Sequence, residues 1–300
     1  MHCDHDKLVL KVADLILELR SDSDQILFDA ENSLLHYRIN NFTRVDFHCN
    51  FILKKPTISN IQDWSFIGKP ENNGYLNYSW RVKSTSEKIF IQVDFDDHNQ
   101  LKSLLAIIQP GLSKIEVEVE KHIRIQGPIY MDPLIHPLGS LLLLYMFHLK
   151  GGVLMHASAV IDYGNSYLFS GVSGIGKSTM ARLWFECGGD VINDDRVVLR
   201  LQDDVVKIYN NPMPYYQQYP KEGVLKKIFL LKQSPENYIR PVSGVNAYSR
   251  VLGNFIQQFY EKEMVNKHLD YILKILDRVS VYEVGFKPDQ EIVSLIRSLD

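Results

Sequence analysis

Cysteine is scarce. Cys3, Cys49 and Cys187 are the three in 300 residues, far apart and without a C-x-x-C pair. That excludes a disulfide framework and a cysteine zinc site, and it fits a reducing compartment. Charge of neither sign prevails, with a formal net charge of -3. No overall basic field therefore draws the chain to nucleic acid. Long apolar runs are also missing. The strongest, residues 141–147 (LLLLYMF), falls short of the ~20 residues a bilayer span needs and reads as a buried helix. Residues 1–6 (MHCDHD) carry no basic stretch followed by an apolar core, so no signal peptide is expected. There is no internal repeat and no low-complexity tract. The composition, 45% hydrophobic and 23% charged, is that of a globular protein of one large or two ordinary domains. These absences lead us to expect a cytoplasmic protein with no membrane or nucleic-acid partner.

What is present is a phosphate-loop motif. Gly171, Val172, Ser173, Gly174, Ile175, Gly176, Lys177 and Ser178 fit G-x-x-x-x-G-K-[ST]. Glycines let successive N–H groups point at one phosphate chain. The motif gives Lys177 the terminal phosphates and the Ser178 hydroxyl a Mg²⁺. Residues 166–170 (SYLFS) read as a strand entering the loop. The run from Thr179 (TMARLWF) reads as a helix leaving it, so a helix N-terminus also faces the anion.

The hydrophobic pattern divides the chain. Residues 34–39, 44–49, 88–95 and 115–120 are strand-like, the last a clean alternation expected to be half-exposed; residues 12–19 fit either a strand or a short helix. Asn32-Ser33 and residues 69–74 (KPENNG) read as turns. We expect a β-rich N-terminal domain over 1–128 and a nucleotide-binding domain over 129–300. The second should open with a helix over 136–149 and strands over 153–161 and 166–170. That hairpin before the loop is unusual for a doubly wound P-loop sheet. Strands are expected at 190–196, 197–201, 205–209, 228–231 and 279–285, and helices at 246–259, 262–278 and 289–299. The fold class expected is α/β, in the mixed α+β sense.

Asp194-Asp195 ends a short strand soon after the loop helix, where a P-loop enzyme places its metal-holding carboxylate. One carboxylate can hold Mg²⁺ while the other accepts a hydroxyl proton; a solvated acidic turn is the bland alternative. His156 lies on the strand before the one that feeds the loop. It can orient a carboxylate or simply pack on a strand face. A further cation besides Lys177 is expected at a transferring phosphoryl group. Arg250 is the choice here, with Arg240 and Arg196 as rivals. His2, Cys3 and His5 at the start, and His48-Cys49 in a strand, read as a terminus and a packing position respectively.

Three segments together, His156-Ala157-Ser158-Ala159-Val160, Gly171 to Thr179, and Asn193-Asp194-Asp195-Arg196-Val197, resemble the catalytic domain of HPr serine kinase/phosphorylase. The resemblance runs from about residue 136 to the end. It implies the P-loop fold shared with ATP-dependent phosphoenolpyruvate carboxykinase, ATP and Mg²⁺ as the ligands, and γ-phosphoryl transfer to a hydroxyl. Residue by residue, it implies that Gly171 to Thr179 hold the nucleotide, Ser178 and Asp195 the metal, and Asp194 the base's place with His156 beside it; the two aspartate roles are interchangeable at this stage. Residues 209–220 (YNNPMPYYQQYP) do not match the glycine-rich phosphorylase segment, so phosphorolysis and HPr as substrate are not implied; this segment is expected to be either a loop near the acceptor site or a surface turn without function. Relatives lacking that segment occur in peptide-modification settings such as lasso-peptide pathways. The acceptor implied is a serine of a peptide or protein, with a small-molecule hydroxyl as the alternative. Self-association is a family expectation. A non-catalytic nucleotide-binding regulator is the rival reading, and a transport or assembly ATPase ranks last.

Overall fold

A computed structural model describes residues 6–29, 34–57, 61–72, 76–214 and 217–299. The readings placed on His2, Cys3 and His5, on Asn32 and Ser33, on Asn73 and Gly74, and on Tyr215 and Tyr216 lie outside these. The fold is mixed α/β. It forms two compact units, the first made of Met1–Met146, Pro212–Tyr219 and Gln258–Val265, the second of Phe147–Asn211, Pro220–Gln257 and Asn266–Asp300. The division thus falls after Met146 rather than at 128/129, and the chain returns to the first unit twice.

The first unit is built on strands: β1 (Lys7–Val12), β2 (Leu15–Ser21), β3 (Ile26–Phe28), β4 (Phe47–Leu53), β5 (Phe66–Ile67), β6 (Glu71–Asn72), β7 (Asn77–Ser84), β8 (Ile89–Phe95), β9 (Leu101–Gln109), β10 (Lys114–Lys121) and β11 (Ile129–Met131). Nine form one sheet in the order β1-β2-β4-β10-β9-β8-β7-β5, with β6 also on β7, while β3 and β11 pair separately. Period-two alternation puts Ile115, Val117 and Val119 of β10 in the core. Three expectations change here. Residues 12–19 contain a turn, because Ala13 and Asp14 take φ of 47° and 61° and fold β1 back on β2. Within residues 34–39, Leu35–Tyr37 is a single 3-10 turn, not a strand. Glu118, expected on a solvent face, is buried, because Lys54 and the Thr57 amide, the latter at 2.9 Å, satisfy its carboxylate.

Helix α1 (Leu138–Leu149) follows and is buried along most of its length. The second unit then comprises β12 (Val153–Asp162), β13 (Asn165–Ser170), α2 (Lys177–Glu186), β14 (Asp190–Asn193), β15 (Arg196–Gln202), β16 (Val205–Tyr209), β17 (Glu222–Gln233), β18 (Tyr238–Val242), α3 (Gly244–Leu252), β19 (Phe255–Ile256), α4 (Lys262–Leu276, from Asn266 onward), β20 (Ser280–Phe286) and α5 (Glu291–Arg297). The β12–β13 hairpin is antiparallel. Backbone pairing runs β13-β12-β15-β16-β17 and closes through a parallel β13–β17 pair. Strand β17 continues in parallel to β20, and β18 lies antiparallel beyond it.

Alternating side chains send this sheet's apolar residues to two cores. Leu168, Ile228 and Leu230 pack with Ala247 and Val251 of α3 and Ile272 and Ile275 of α4. Phe169, Phe229 and Phe286 pack with Met180 and Trp184 of α2 and Ile292 and Ile296 of α5. Each such side chain, fully buried, contributes about 1.5–3 kcal/mol. The helix expected over 246–259 stops at Leu252, since Phe255 and Ile256 pair instead with Met155 and Leu154 of β12. Among the described residues, no helix is long and apolar enough to cross a membrane.

Candidate functional site

The site lies where β13 hands over to α2. Gly174 and Gly176 have φ of 77° and 113°, which L side chains rarely adopt, so the loop can turn sharply before the helix. Gly176 is the helix N-cap, and the Met180 amide donates to its carbonyl at 2.9 Å. The amides of Lys177, Ser178 and Thr179 are thereby left at the first turn, where no intrahelical acceptor exists. Ser178 is exposed and Thr179 half-buried. Val172 is also exposed, at 71%. Gln233, at the end of β17, donates to the Gly174 carbonyl at 3.4 Å and braces the loop from the side.

Lys177 is 7% exposed and folds along the loop, its Nζ donating to the carbonyls of Gly171 at 3.0 Å and Val172 at 3.3 Å. Burial pushes its ammonium below the usual range, against the pull of Asp195. Ser158 of β12 donates its hydroxyl to the Lys177 carbonyl at 3.1 Å, tying that strand to the first turn of α2.

The acidic pair occupies the break between β14 and β15. Both strands pair with β12, Asn193 opposite Ala159 and Arg196 opposite His156. The turn between them is shaped by Asn193, whose side-chain oxygen accepts the amides of Asp195 at 2.7 Å and Arg196 at 2.9 Å. The Ala157 amide donates to the Asp195 carbonyl at 3.1 Å. This clamps the Asp195 backbone beside His156, whose Nδ1 lies 3.5 Å from Asp195 Oδ1. Arg196 Nε approaches the other carboxylate oxygen at 3.4 Å. Burial lowers the His156 pKa, Lys177 and Arg196 lower it further, and Asp195 opposes them. The ring is therefore held towards its neutral form.

His156 accordingly sits against Asp195, not beside Asp194. Asp194 is exposed, and its carboxylate makes no ion pair or hydrogen bond among the described residues. His156, Lys177, Asp195 and Arg196 thus gather into one electrostatic cluster. Arg250 does not join it: its Nη1 lies 2.9 Å from Glu283 Oε2. Arg240 lies over the Tyr238 ring, 4.6 Å from its centroid. Sequence reasoning assigned no role to Asn193 or Ser158. An Asn directly before an Asp-Asp pair is the available signal, because its side chain favours such a turn.

Among the described residues, no three His, Cys, Asp or Glu side chains converge closely enough to hold a metal by themselves. A Mg²⁺ shared between one or two carboxylates and substrate phosphates needs no such cage. A separate cavity of about 660 Å³ lies on the first unit's sheet, lined in part by Glu18, Arg20, His48 and Lys114. Glu18 there is held at about 2, burial being outweighed by hydrogen bonds from Lys7, Arg20 and His48. Its charge is spent within the sheet.

No known protein family and no curated protein matches the sequence. Among solved structures, the chain is similar to the Hpr(Ser) kinase/phosphatase from Coxiella burnetii, with 12% identity, a TM-score of 0.28, and coverage of 49% of this chain and 92% of that one.

Proposed function

We propose that the second unit is a kinase that uses ATP and Mg²⁺ to phosphorylate a hydroxyl, most specifically a serine of a peptide or protein. The observation that supports this reading is the gathering of His156, Asp195 and Arg196 about Lys177 at the start of α2. A glycine loop alone serves binding; a carboxylate pair set beside it serves chemistry. The loop amides from Gly171 to Thr179 and the Lys177 ammonium would hold the phosphates, Lys177 leaving its two carbonyls to do so. Ser178 and Asp195 suit the Mg²⁺, since one is exposed at the helix start and the other faces Lys177. When bound, the ion supplies charge neutralisation on the phosphate oxygens.

Asp194, exposed and unpaired, suits the base. It takes the hydroxyl proton as the acceptor oxygen bonds to the γ-phosphorus and the bond to the ADP oxygen breaks. His156 and Arg196 flank the two oxygens of Asp195, at 3.5 and 3.4 Å. Arg196, already in the cluster, suits the further cation better than Arg250, which Glu283 holds.

The test is γ-labelled ATP with Mg²⁺ and serine-containing peptides, including those encoded beside the gene. Label should appear on serine and be lost in Asp194→Asn, with ATP affinity kept. ATP binding by both proteins with no transfer by either would overturn the kinase reading in favour of a nucleotide-binding regulator.

A further inference from the structure

A second charged cluster stands at the same end of the sheet as the Gly171–Ser178 loop, and none of the roles above uses it. Its centre is Glu283 of β20. Burial raises this carboxyl's pKa, but hydrogen bonds from Tyr238 and Arg250 more than offset that, and it is held below the usual range. The Tyr238 hydroxyl donates to Oε1 at 2.9 Å and Arg250 approaches Oε2 at 2.9 Å. Lys232 adds its field from β17, and Arg240 is the cross-strand partner of Glu283 on β18. Gly285 makes room for the Tyr238 ring: a Cβ there would lie 2.0 Å from Tyr238 Cε1. The ring therefore lies on bare backbone, with the Arg240 guanidinium over it at 4.6 Å. Lys232, Arg240 and Arg250 are all exposed. Three cations surround one carboxylate, so the cluster keeps two positive charges in surplus.

Its position is set by the ladder. Ser170, the last residue of β13, is in register with Leu230, and Leu230 with Glu283. Two inter-strand steps of ~4.8 Å put the cluster about 10 Å to the side of the loop's first residue. It is braced to both parts of the candidate site. Gln233, next to Lys232, donates to the loop at Gly174. Asn254 donates its side-chain amide to the Arg250 carbonyl at 3.1 Å and accepts the His156 amide at 2.8 Å.

We propose that Lys232, Arg240 and Arg250 form an anion subsite for the acceptor, which receives an acidic side chain of the substrate peptide. This rests on the kinase reading. The cluster flanks the loop and is not built from its amides or Lys177, which leaves it for a group of the substrate other than the phosphates they hold. An extended peptide rises ~3.3 Å per residue, so about three residues cover the roughly 10 Å to the loop. The preferred acceptor is a serine with Glu or Asp about three positions away.

The experiment measures fluorescence anisotropy of labelled nonapeptides with a central serine, bound in the presence of Mg²⁺ and a non-hydrolysable ATP analogue. One peptide carries Glu at three residues either side, the other Lys. The wild-type protein should bind the acidic peptide at least tenfold more tightly. The double variant Lys232→Glu/Arg240→Glu should reverse that preference, and the milder Lys232→Ala/Arg240→Ala should erase it, with affinity for the ATP analogue unchanged. Equal binding of the two peptides by the wild-type protein overturns the proposal. So does a preference that survives in both variants. The two readings fail separately. Acidic preference without label transfer leaves the subsite and removes the kinase; equal transfer to both peptides leaves the kinase and removes the subsite.

Discussion

Gly176 and Phe286 compete for one space. A Cβ on Gly176 would lie 2.7 Å from Phe286 Cζ, and the glycine holds φ at 113°. Gly176→Ala is expected to cost about 1–3 kcal/mol through backbone strain and the clash. Phe286→Leu in the same chain should relieve the clash but leave the strain. Urea midpoints of the two variants check this, and only partial recovery should appear in the double variant.

Asn193 serves two amides with one oxygen. Asn193→Ala strands both donors, and a loss of about 1–3 kcal/mol is expected. Asn193→Asp keeps an acceptor oxygen and should keep most of the stability. If Asp195 is placed by this turn, phosphoryl transfer should fall in Asn193→Ala by more than the unfolded fraction explains. Thermal melts alongside label-transfer rates separate the two effects.

Arg297 closes the C-terminal helix onto the β12–β13 hairpin. It donates to both oxygens of buried Asp162, at 2.9 and 2.8 Å, and to the Cys187 carbonyl at 3.0 Å. Removing one partner leaves a buried charge unpaired. Arg297→Met should therefore destabilise by about 3 kcal/mol. Asp162→Asn, which keeps an acceptor, should cost less. Denaturant unfolding of both variants gives the order.

His148 and His268 face each other with ring centroids 6.0 Å apart. Burial lowers both to about 4, and Lys267 and the paired ring add to the shift. Their folded values lie below the unfolded value near 6.5, so the unfolded chain binds more protons between the two. The stability they permit is complete above pH 6.5 and is lost as pH falls towards 4. Each ring contributes a slope of at most roughly 1.4 kcal/mol per pH unit. Urea titrations at pH 7, 5.5 and 4.5 should show the decline, and His148→Phe/His268→Phe should flatten it.

Much of the second unit was legible because its signals are local. The loop glycines, the apolar strand before them and the helix from Lys177 all appear in consecutive residues, and the structure has them there. What was not legible depends on partners distant in the chain. Phe255 and Ile256 continue a helical pattern, yet they become a strand because Met155 and Leu154, paired with β15 on one side, take them on the other. Glu118 alternates like an exposed residue and is buried because Lys54 reaches it. His156 could not be assigned to Asp195 rather than Asp194 without the Asn193 turn that orients the pair. Leu35–Tyr37 reads as strand because a run this short, with Leu35 and Tyr37 either side of His36, fits either period.

The parallel pairing of β13 with β17 also has a consequence in time. Residues 166–170 meet residues 225–230. Between them the chain carries the glycine loop, α2, Asp194 and Asp195. Synthesis runs at about 5–20 residues per second, so the loop, Asp194 and Asp195 are made seconds before β17, the parallel neighbour of β13. A nascent chain stopped short of Glu222 holds the loop, Asp194 and Asp195 without the β17 strand that pairs with β13. The candidate site is therefore written early and assembled late.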